Sequence, residues 1–196
     1  MSKAICAAKR KPQNGSLSPV SGIQILTMTE AKKVRESISE YSVLALPNDA
    51  NGLGNVLGGK VMHLVDLAAA MAAIRHARTT VVTASVDSMH FIHPVRIGQL
   101  IVLRSSVNRV FRTSMEVGVQ VETENLLTGD KLHTCSAYLT FVALDKAGRP
   151  TAVGPVVPET DQEKRRYREA GERRAHRLAL RDRLRASAIS EPGSGS

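Results

Sequence analysis

A glycine-rich loop that runs into an apolar helix constrains this chain more than any other stretch. Residues 48–59 are polar and contain four glycines, and residues 60–77 repeat apolar side chains at helical spacing. Many of these apolar residues are alanines, so we predict a thin, buried helix around which a sheet packs closely. Asp66 is the only acidic residue between Asp49 and Asp87. A carboxylate on a buried helix is costly unless it has a purpose.

Strand patterns flank the predicted helix on both sides. Before it, a β-rich run over residues 33–44 stops ahead of Pro47. The run after the helix changes phase near residues 87–88, which predicts a β-bulge. We predict an α+β domain in which an antiparallel sheet wraps around a central helix, and the open sheet edge favours pairing with a second copy. The strands predicted after the helix are Val81–His93, Gln99–Phe111, Ser114–Asn125 and Lys131–Leu144.

The two ends of the chain differ in composition from its middle. We predict a flexible N-terminal tail over residues 1–28, one domain over residues 29–152, and a charged C-terminal helix with a flexible tail over residues 153–196. The C-terminal helix is expected to lie on the surface and to end near residue 186. It contains acid-then-base pairs four residues apart, Asp161 with Arg165 and Glu169 with Arg173.

The net charge of +9 comes mostly from the ends. Residues 1–29 carry four basic and no acidic side chains, and residues 159–186 carry ten basic and six acidic ones. Residues 30–158 are nearly neutral, with 13 basic and 11 acidic side chains. This distribution argues against a nucleic-acid-binding core.

The remaining composition predicts a cytoplasmic protein. No apolar run reaches the roughly 20 residues that span a bilayer, and the N-terminus lacks the apolar stretch of a signal peptide. The two cysteines, Cys6 and Cys135, are far apart, so we predict no disulfide. No cluster of Cys and His has the spacing of a metal site, so we predict no metal.

Several motifs occur in the order found in a known family. They resemble the hot-dog-fold acyl-CoA thioesterases, and within these the acyl-CoA hydrolase group that includes the brain acyl-CoA hydrolase. The resemblance covers residues 30–152. Its motifs are the loop Asp49–Gly59, the helix with Met62 and Asp66, Val82-Thr-Ala-Ser-Val-Asp87, Phe91-x-x-Pro-Val-x-x-Gly98, Arg112-Thr-Ser-Met115 and the ending Thr140–Pro150.

The resemblance implies an enzyme that hydrolyses acyl-CoA to a free carboxylic acid and coenzyme A. Coenzyme A is then part of substrate and product, and no further cofactor is needed. The active unit is expected to be a dimer, which can assemble further as a trimer of dimers. By motif, Asn51 from the loop of one subunit faces Asp66 from the helix of the other.

The residues themselves allow this chemistry. Backbone N–H groups of Gly58, Gly59 and Lys60 at the helix start can stabilise an oxyanion, helped by the positive end of the helix dipole. Asp66 is either the general base for water or the nucleophile that forms an anhydride, and the sequence does not choose. Asn51 would orient the water or the carbonyl, although an isolated Asn in such a loop is more often a turn former.

The turn Arg112-Thr113-Ser114 supplies a cation, two hydroxyls and free N–H groups, which suits the phosphates or the pantetheine of coenzyme A. An ordinary hairpin turn explains it equally well. His63, three residues before Asp66, invites a His–Asp dyad, but a solvated or packed histidine is the more common case. We predict that Cys135 is a core residue rather than a nucleophile.

Two rival functions stay open at this point. The first is a non-catalytic regulatory hot-dog protein that binds acyl-CoA in the same cleft. The second is acyl-CoA hydration, which would add a hydroxyl without releasing a thiol. The presence of both Asn51 and Asp66 favours the hydrolase.

Overall fold

The computed structural model describes residues 30–190 of the chain, with side chains up to residue 187. The predicted N-terminal tail and Cys6 therefore lie outside the described residues. The strands are β1 (Lys32–Lys33), β2 (Ser39–Leu44), β3 (Thr80–Phe91), β4 (Leu100–Val110), β5 (Ser114–Glu124), β6 (Lys131–Leu144) and β7 (Val156–Val157). The α-helices are α1 (Gly58–Ala77) and α2 (Asp161–Ser190).

Five strands form one antiparallel sheet in the order β2-β4-β5-β6-β3, and α1 contacts all five. Alanines on α1 make this close packing possible, since Ala68, Ala69, Ala72 and Ala73 are fully buried. The short strands β1 and β7 pair in parallel beside the main sheet. The predicted α+β hot-dog fold, with an antiparallel sheet around a central helix, is thus confirmed.

The strand predictions after α1 agree closely with the structure. β4, β5 and β6 begin and end within one residue of their predicted bounds, because their inward side chains alternate clearly. A register shift between β3 and β6 occurs between Val86 and Ser88, which confirms the predicted bulge.

The prediction for the first strand was wrong at its beginning. Val34–Glu36 forms a 3₁₀ turn, and the strand itself starts at Ser39. Ser37 explains the difference, because its hydroxyl donates to Val34 O at 2.7 Å and accepts the N–H of Val107 at 2.9 Å. A serine that satisfies backbone groups in this way competes with regular strand pairing.

The C-terminal helix α2 packs on the face of the sheet opposite α1. Strand alternation places Glu116 on that face, because its neighbours Met115 and Val117 lie in the core with α1. Glu116 is almost completely buried and accepts two hydrogen bonds from Arg173, at 2.7 and 3.1 Å. The nitrogen of Asn108 donates a third at 3.0 Å. The expected surface helix is therefore anchored through charged side chains.

The ion pairs along α2 differ in part from those predicted. Glu169 pairs with Arg173 at 3.8 Å, as expected. Asp161 pairs with Lys164 rather than Arg165, whose partner is Glu169. Among the described residues, neither helix has the length and apolar character needed to cross a membrane.

Candidate active site

Asn51 organises the loop that precedes α1. Its Oδ1 accepts the N–H groups of Leu53 at 2.9 Å and of Asn55 at 3.2 Å. Its own N–H donates to Asn55 O at 2.7 Å. The side-chain nitrogen of Asn51 has no hydrogen-bond acceptor within the described residues. Asn51 is therefore a turn former whose amide nitrogen stays available to a ligand.

The start of α1 presents open backbone donors. Leu57 precedes the helix and provides no side-chain cap, and its carbonyl accepts the N–H groups of Lys60 at 3.0 Å and Val61 at 3.2 Å. Within the described chain, the N–H groups of Gly58 and Gly59 have no acceptor. The predicted donor set is thereby reduced to the two glycines. The Lys60 ammonium lies 3.0 Å from an Asp49 carboxylate oxygen.

Neither glycine is required by packing within the described residues. Among these, a Cβ at Gly59 would meet no atom within 4 Å, and one at Gly58 would meet only the Phe91 ring at 3.7 Å. Neither residue has a positive φ angle. Glycine at these two positions leaves the backbone open to close approach by a ligand or a second copy.

A cavity of about 300 Å³ lies beside these donors. Asn51 and Gly58 both line it, and so do residues 91–95. Asp66 does not line it. Because Asp66 lies eight residues after Gly58, the two are separated by about 12 Å along the helix axis. Within one chain, the open donors at the start of α1 and the Asp66 carboxylate therefore lie about two helical turns apart.

Asp66 is half-buried on α1 and faces the edge strand β3. The hydroxyl of Thr83 donates to its Oδ1 at 2.7 Å. Sequence reasoning missed Thr83 as a site residue, although the motif at residues 82–87 contains it. No cation pairs with Asp66 within the described residues.

His63 and Cys135 lie outside the hydrogen bonds that hold Asp66. His63 is exposed and forms no hydrogen bond with Asp66. Cys135 is fully buried, and burial raises the pKa of its thiol, which confirms it as a core residue. Among residues 30–190, no group of three His, Cys, Asp or Glu side chains could hold a metal ion.

The predicted coenzyme-binding turn is only partly accessible. Arg112 is exposed, and Thr113 is half-buried. Ser114 is 8% exposed, and its hydroxyl accepts a hydrogen bond from Arg174 of α2 at 3.3 Å. The turn thus offers Arg112 and Thr113 to a ligand, while Ser114 contacts α2.

Comparison with known proteins decides the family. Residues 53–129 match the Thioesterase superfamily. The uncharacterized acyl-CoA thioester hydrolase YkhA of Bacillus subtilis is 38% identical over 162 residues, which cover 79% of this chain and 94% of YkhA. The chain belongs to the acyl-CoA thioesterase family. The predicted family is confirmed, and the match favours the enzyme over the non-catalytic alternative.

Solved structures place this thioesterase among hexameric relatives. An apo-hexameric acyl-CoA thioesterase is 41% identical with a TM-score of 0.75, covering 77% of this chain and 97% of that one. The acyl-CoA hydrolase of Staphylococcus aureus, solved with butyryl coenzyme A and coenzyme A, is 34% identical with a TM-score of 0.76. That match covers 81% of this chain and 97% of the other. Variants of the S. aureus enzyme with an aspartate, a threonine or an asparagine changed to alanine have also been solved.

Some relatives are much longer than this thioesterase. Acyl-coenzyme A thioesterase 11 of mouse is 36% identical over 160 residues, which are 81% of this chain and only 27% of the mouse protein. The chain thus spans about a quarter of that relative.

Proposed function

We propose that this chain hydrolyses acyl-CoA thioesters at sites shared between two copies, with Asp66 as the reacting carboxylate. Asn51 and the N–H groups of Gly58 and Gly59 from the partner copy would bind the thioester carbonyl. The separation of about 12 Å along α1 between the helix start and Asp66 of one chain is the reason for two copies.

The sequence intervals between Asn51, Asp66 and Thr83 are the observation that carries the proposal. In the S. aureus hydrolase, the asparagine, aspartate and threonine changed to alanine follow one another at intervals of fifteen and seventeen residues. Asn51, Asp66 and Thr83 follow one another at the same intervals. Here the Thr83 hydroxyl donates a hydrogen bond to Asp66, which supports a common role for the three side chains.

Each group has a specific task in hydrolysis. The glycine N–H groups would stabilise the negative charge that develops on the thioester oxygen, aided by the helix dipole. The Thr83 hydroxyl holds one oxygen of Asp66 and leaves the other free to react. The nitrogen of Asn51 would donate to the water or to the carbonyl.

Asp66 can act in thioester hydrolysis by either of two routes. As a base, Asp66 takes a proton from water while the water oxygen bonds to the carbonyl carbon, and the tetrahedral intermediate then expels the coenzyme A thiolate, which is protonated. As a nucleophile, a carboxylate oxygen displaces the thiolate to form an anhydride, which water opens. Label in Asp66 after a single turnover in ¹⁸O-labelled water would establish the anhydride route, because only water attack on the aspartyl carbonyl of the anhydride places label in that side chain.

Apolar surface on α1 and β3 supports self-association. Met62 and Ile74 on the helix and Val82, Val86 and Phe91 on the strand are each between 44% and 49% exposed. On its other side β3 has no partner strand among the described residues. Pairing with a second copy through this edge would cover the apolar side chains and the open edge of β3. A dimer, its assembly as a trimer of dimers and a cytoplasmic location stay predictions.

A thiol-release assay over a series of acyl-CoA chain lengths tests the function. We expect turnover with at least one chain length and loss of turnover in Asp66→Ala. If the wild-type chain releases no thiol from any acyl-CoA, the hydrolase proposal fails. Formation of a hydroxylated acyl-CoA without thiol release would indicate hydration instead.

A further inference from the structure

Three arginines surround the turn between β4 and β5 without a carboxylate partner. Arg109, Arg112 and Arg174 form no ion pair with any described Asp or Glu. Their neighbours on α2, Arg173 and Arg177, each pair with a carboxylate of the sheet. The turn therefore carries uncompensated positive charge at a place where α2 meets the domain.

The phenylalanine that precedes the turn lies among these cations. The Phe111 ring has the Arg174 guanidinium 4.3 Å from its centroid and that of Arg109 at 5.5 Å. Arg109 is held beneath α2, where it donates to Tyr167 O at 3.4 Å. Gly171 of α2 contacts Arg109 so closely that a Cβ would collide with the guanidinium. Arg109 is thus a packed side chain that adds charge, whereas Arg174 lies nearer the turn.

Like charges accumulate at Arg174. Burial lowers the pKa of the Arg174 guanidinium, and the positive charges of Arg177, Arg181 and Arg109 lower it further. Its only hydrogen bond within the described chain is to the Ser114 hydroxyl. An anion bound here would relieve the repulsion between these cations.

Backbone donors complete the arrangement. The N–H of Phe111 donates to Ser114 O at 2.7 Å and closes the turn. The N–H groups of Arg112 and Thr113 have no acceptor among residues 30–190. Free N–H groups in a tight turn next to guanidinium groups are well suited to phosphate oxygens.

We propose that Arg174 of α2 joins Arg112 and the turn N–H groups in binding the phosphates at the nucleotide end of coenzyme A. This inference rests on the proposed function and deepens it, because it makes the C-terminal helix part of the substrate site. The pantetheine arm separates the thioester from the phosphates, so a phosphate site is expected at a distance from Asp66. Ser114 orients Arg174 through its hydroxyl.

Hydrolysis of two matched substrates tests the role of Arg174. One is an acyl-CoA, and the other is the same acyl group on pantetheine, which lacks the nucleotide. In Arg174→Gln we expect KM for acyl-CoA to rise about tenfold with little change in kcat, because a charge-assisted contact is lost. Hydrolysis of the acyl-pantetheine should not change. Arg168→Gln, at an exposed arginine of the same helix, is the matched control and should behave as wild type.

Equal losses on both substrates in Arg174→Gln would overturn the proposal, since they would indicate a structural effect of the substitution. A change in oligomeric mass with unchanged KM would overturn it as well, because the arginine would then serve contact between copies.

Direct binding separates this site from the hydrolase proposal. Calorimetry with adenosine 3′,5′-bisphosphate should show binding to the wild type and at least about tenfold weaker binding to Arg174→Gln and Arg112→Gln. Binding without any thioester hydrolysis would keep the phosphate site and remove the proposed function. Wild-type affinity in both variants, or equal affinity for inorganic phosphate and the bisphosphate, would overturn the nucleotide site.

Discussion

The hydroxyl of Thr83 donates to Oδ1 of Asp66 at 2.7 Å and joins the edge strand β3 to the helix α1. The bond fixes the carboxylate in a half-buried position, and no cation pairs with it in the described chain. A carboxylate held in this way has one oxygen engaged by Thr83 and the other available for the proposed role as base or nucleophile.

Replacing Thr83 by valine keeps the shape of the side chain and removes this hydrogen bond. We expect kcat to fall about tenfold to a hundredfold, since a hydrogen bond to a charged group contributes about 1.5–3 kcal/mol. KM should change little. Thr83→Ser should restore most of kcat, and Thr80→Val, at an exposed threonine of the same strand, is the control. Unchanged kcat in Thr83→Val would remove Thr83 from the mechanism.

Mixing two inactive variants tests the shared site. Asn51→Ala and Asp66→Ala should each lose most activity alone. In a mixed dimer one of the two sites contains both intact residues, so a 1:1 mixture that exchanges subunits fully should recover about a quarter of wild-type activity. Thiol release before and after subunit exchange measures this. Absence of recovery, with exchange verified by mass, would contradict a site made from two copies.

Gly59→Ala should separate stability from activity. Because a Cβ there meets no atom of the described residues within 4 Å, alanine should leave the free energy of unfolding unchanged or raise it by up to about 1 kcal/mol. We expect kcat/KM to fall at least about tenfold if the thioester approaches this backbone. Chemical denaturation and thiol release are the two measurements. Full activity in Gly59→Ala would exclude a close approach of substrate at this position.

The buried pair of Glu116 and Arg173 should dominate the anchoring of α2. Arg173→Met leaves Glu116 buried without its cation and should lower the free energy of unfolding by about 3–5 kcal/mol. The double variant Arg173→Met with Glu116→Gln should recover much of this loss, because no charge then stays buried. Chemical denaturation of both variants measures the difference between their free energies of unfolding. Equal stability of the single and double variants would show that the charge of Glu116 is not the cause.

His76 should make stability depend on pH. Burial lowers the pKa of this histidine, an effect that its hydrogen bond with Gly154 O at 2.9 Å opposes and the charge of Lys32 reinforces. Its Nδ1 is buried and has no hydrogen-bond partner among residues 30–187. The unfolded chain therefore binds the proton more readily, and the free energy of unfolding should fall as pH decreases below about 6.5.

The test compares how steeply the free energy of unfolding depends on pH in wild type and in His76→Gln. Denaturation between about pH 5 and 7.5 covers the range around the ordinary histidine pKa. The slope should be smaller in His76→Gln. His63→Gln, at an exposed histidine of the same helix, is the matched control. Identical slopes in wild type and His76→Gln would refute the assignment.

Local patterns explain which structural predictions succeeded. The bounds of β4, β5 and β6 can be read from the sequence, since apolar side chains alternate along the face that packs on α1 and turn residues separate the strands. The 3₁₀ turn at Val34 could not be recognised in this way, because it depends on Ser37 bonding to Val107, seventy residues away. Thr83 was missed for a similar reason: its importance comes from a contact with another element.

The C-terminal helix shows the same limit. Its run of charges is typical of a solvated face, yet Arg173 enters a buried pair and lies 3.7 Å from the centroid of the Tyr138 ring. Guanidinium groups are weakly hydrated and stack on aromatic rings, so a charged sequence can still supply a packed face.

The sequence by itself determined the family, the order of elements, the buried alanine-rich helix and the pairing of Asn51 with Asp66 as candidates. These properties follow from local periodicity and from motifs that are contiguous in the chain. The tertiary structure decided that Thr83 holds Asp66, that Lys60 is not a free backbone donor, and that α2 brings arginines to the turn at Arg112. Such features depend on which side chains meet across the fold, and hydrogen bonds and ion pairs form only between groups that the packing brings within a few ångströms.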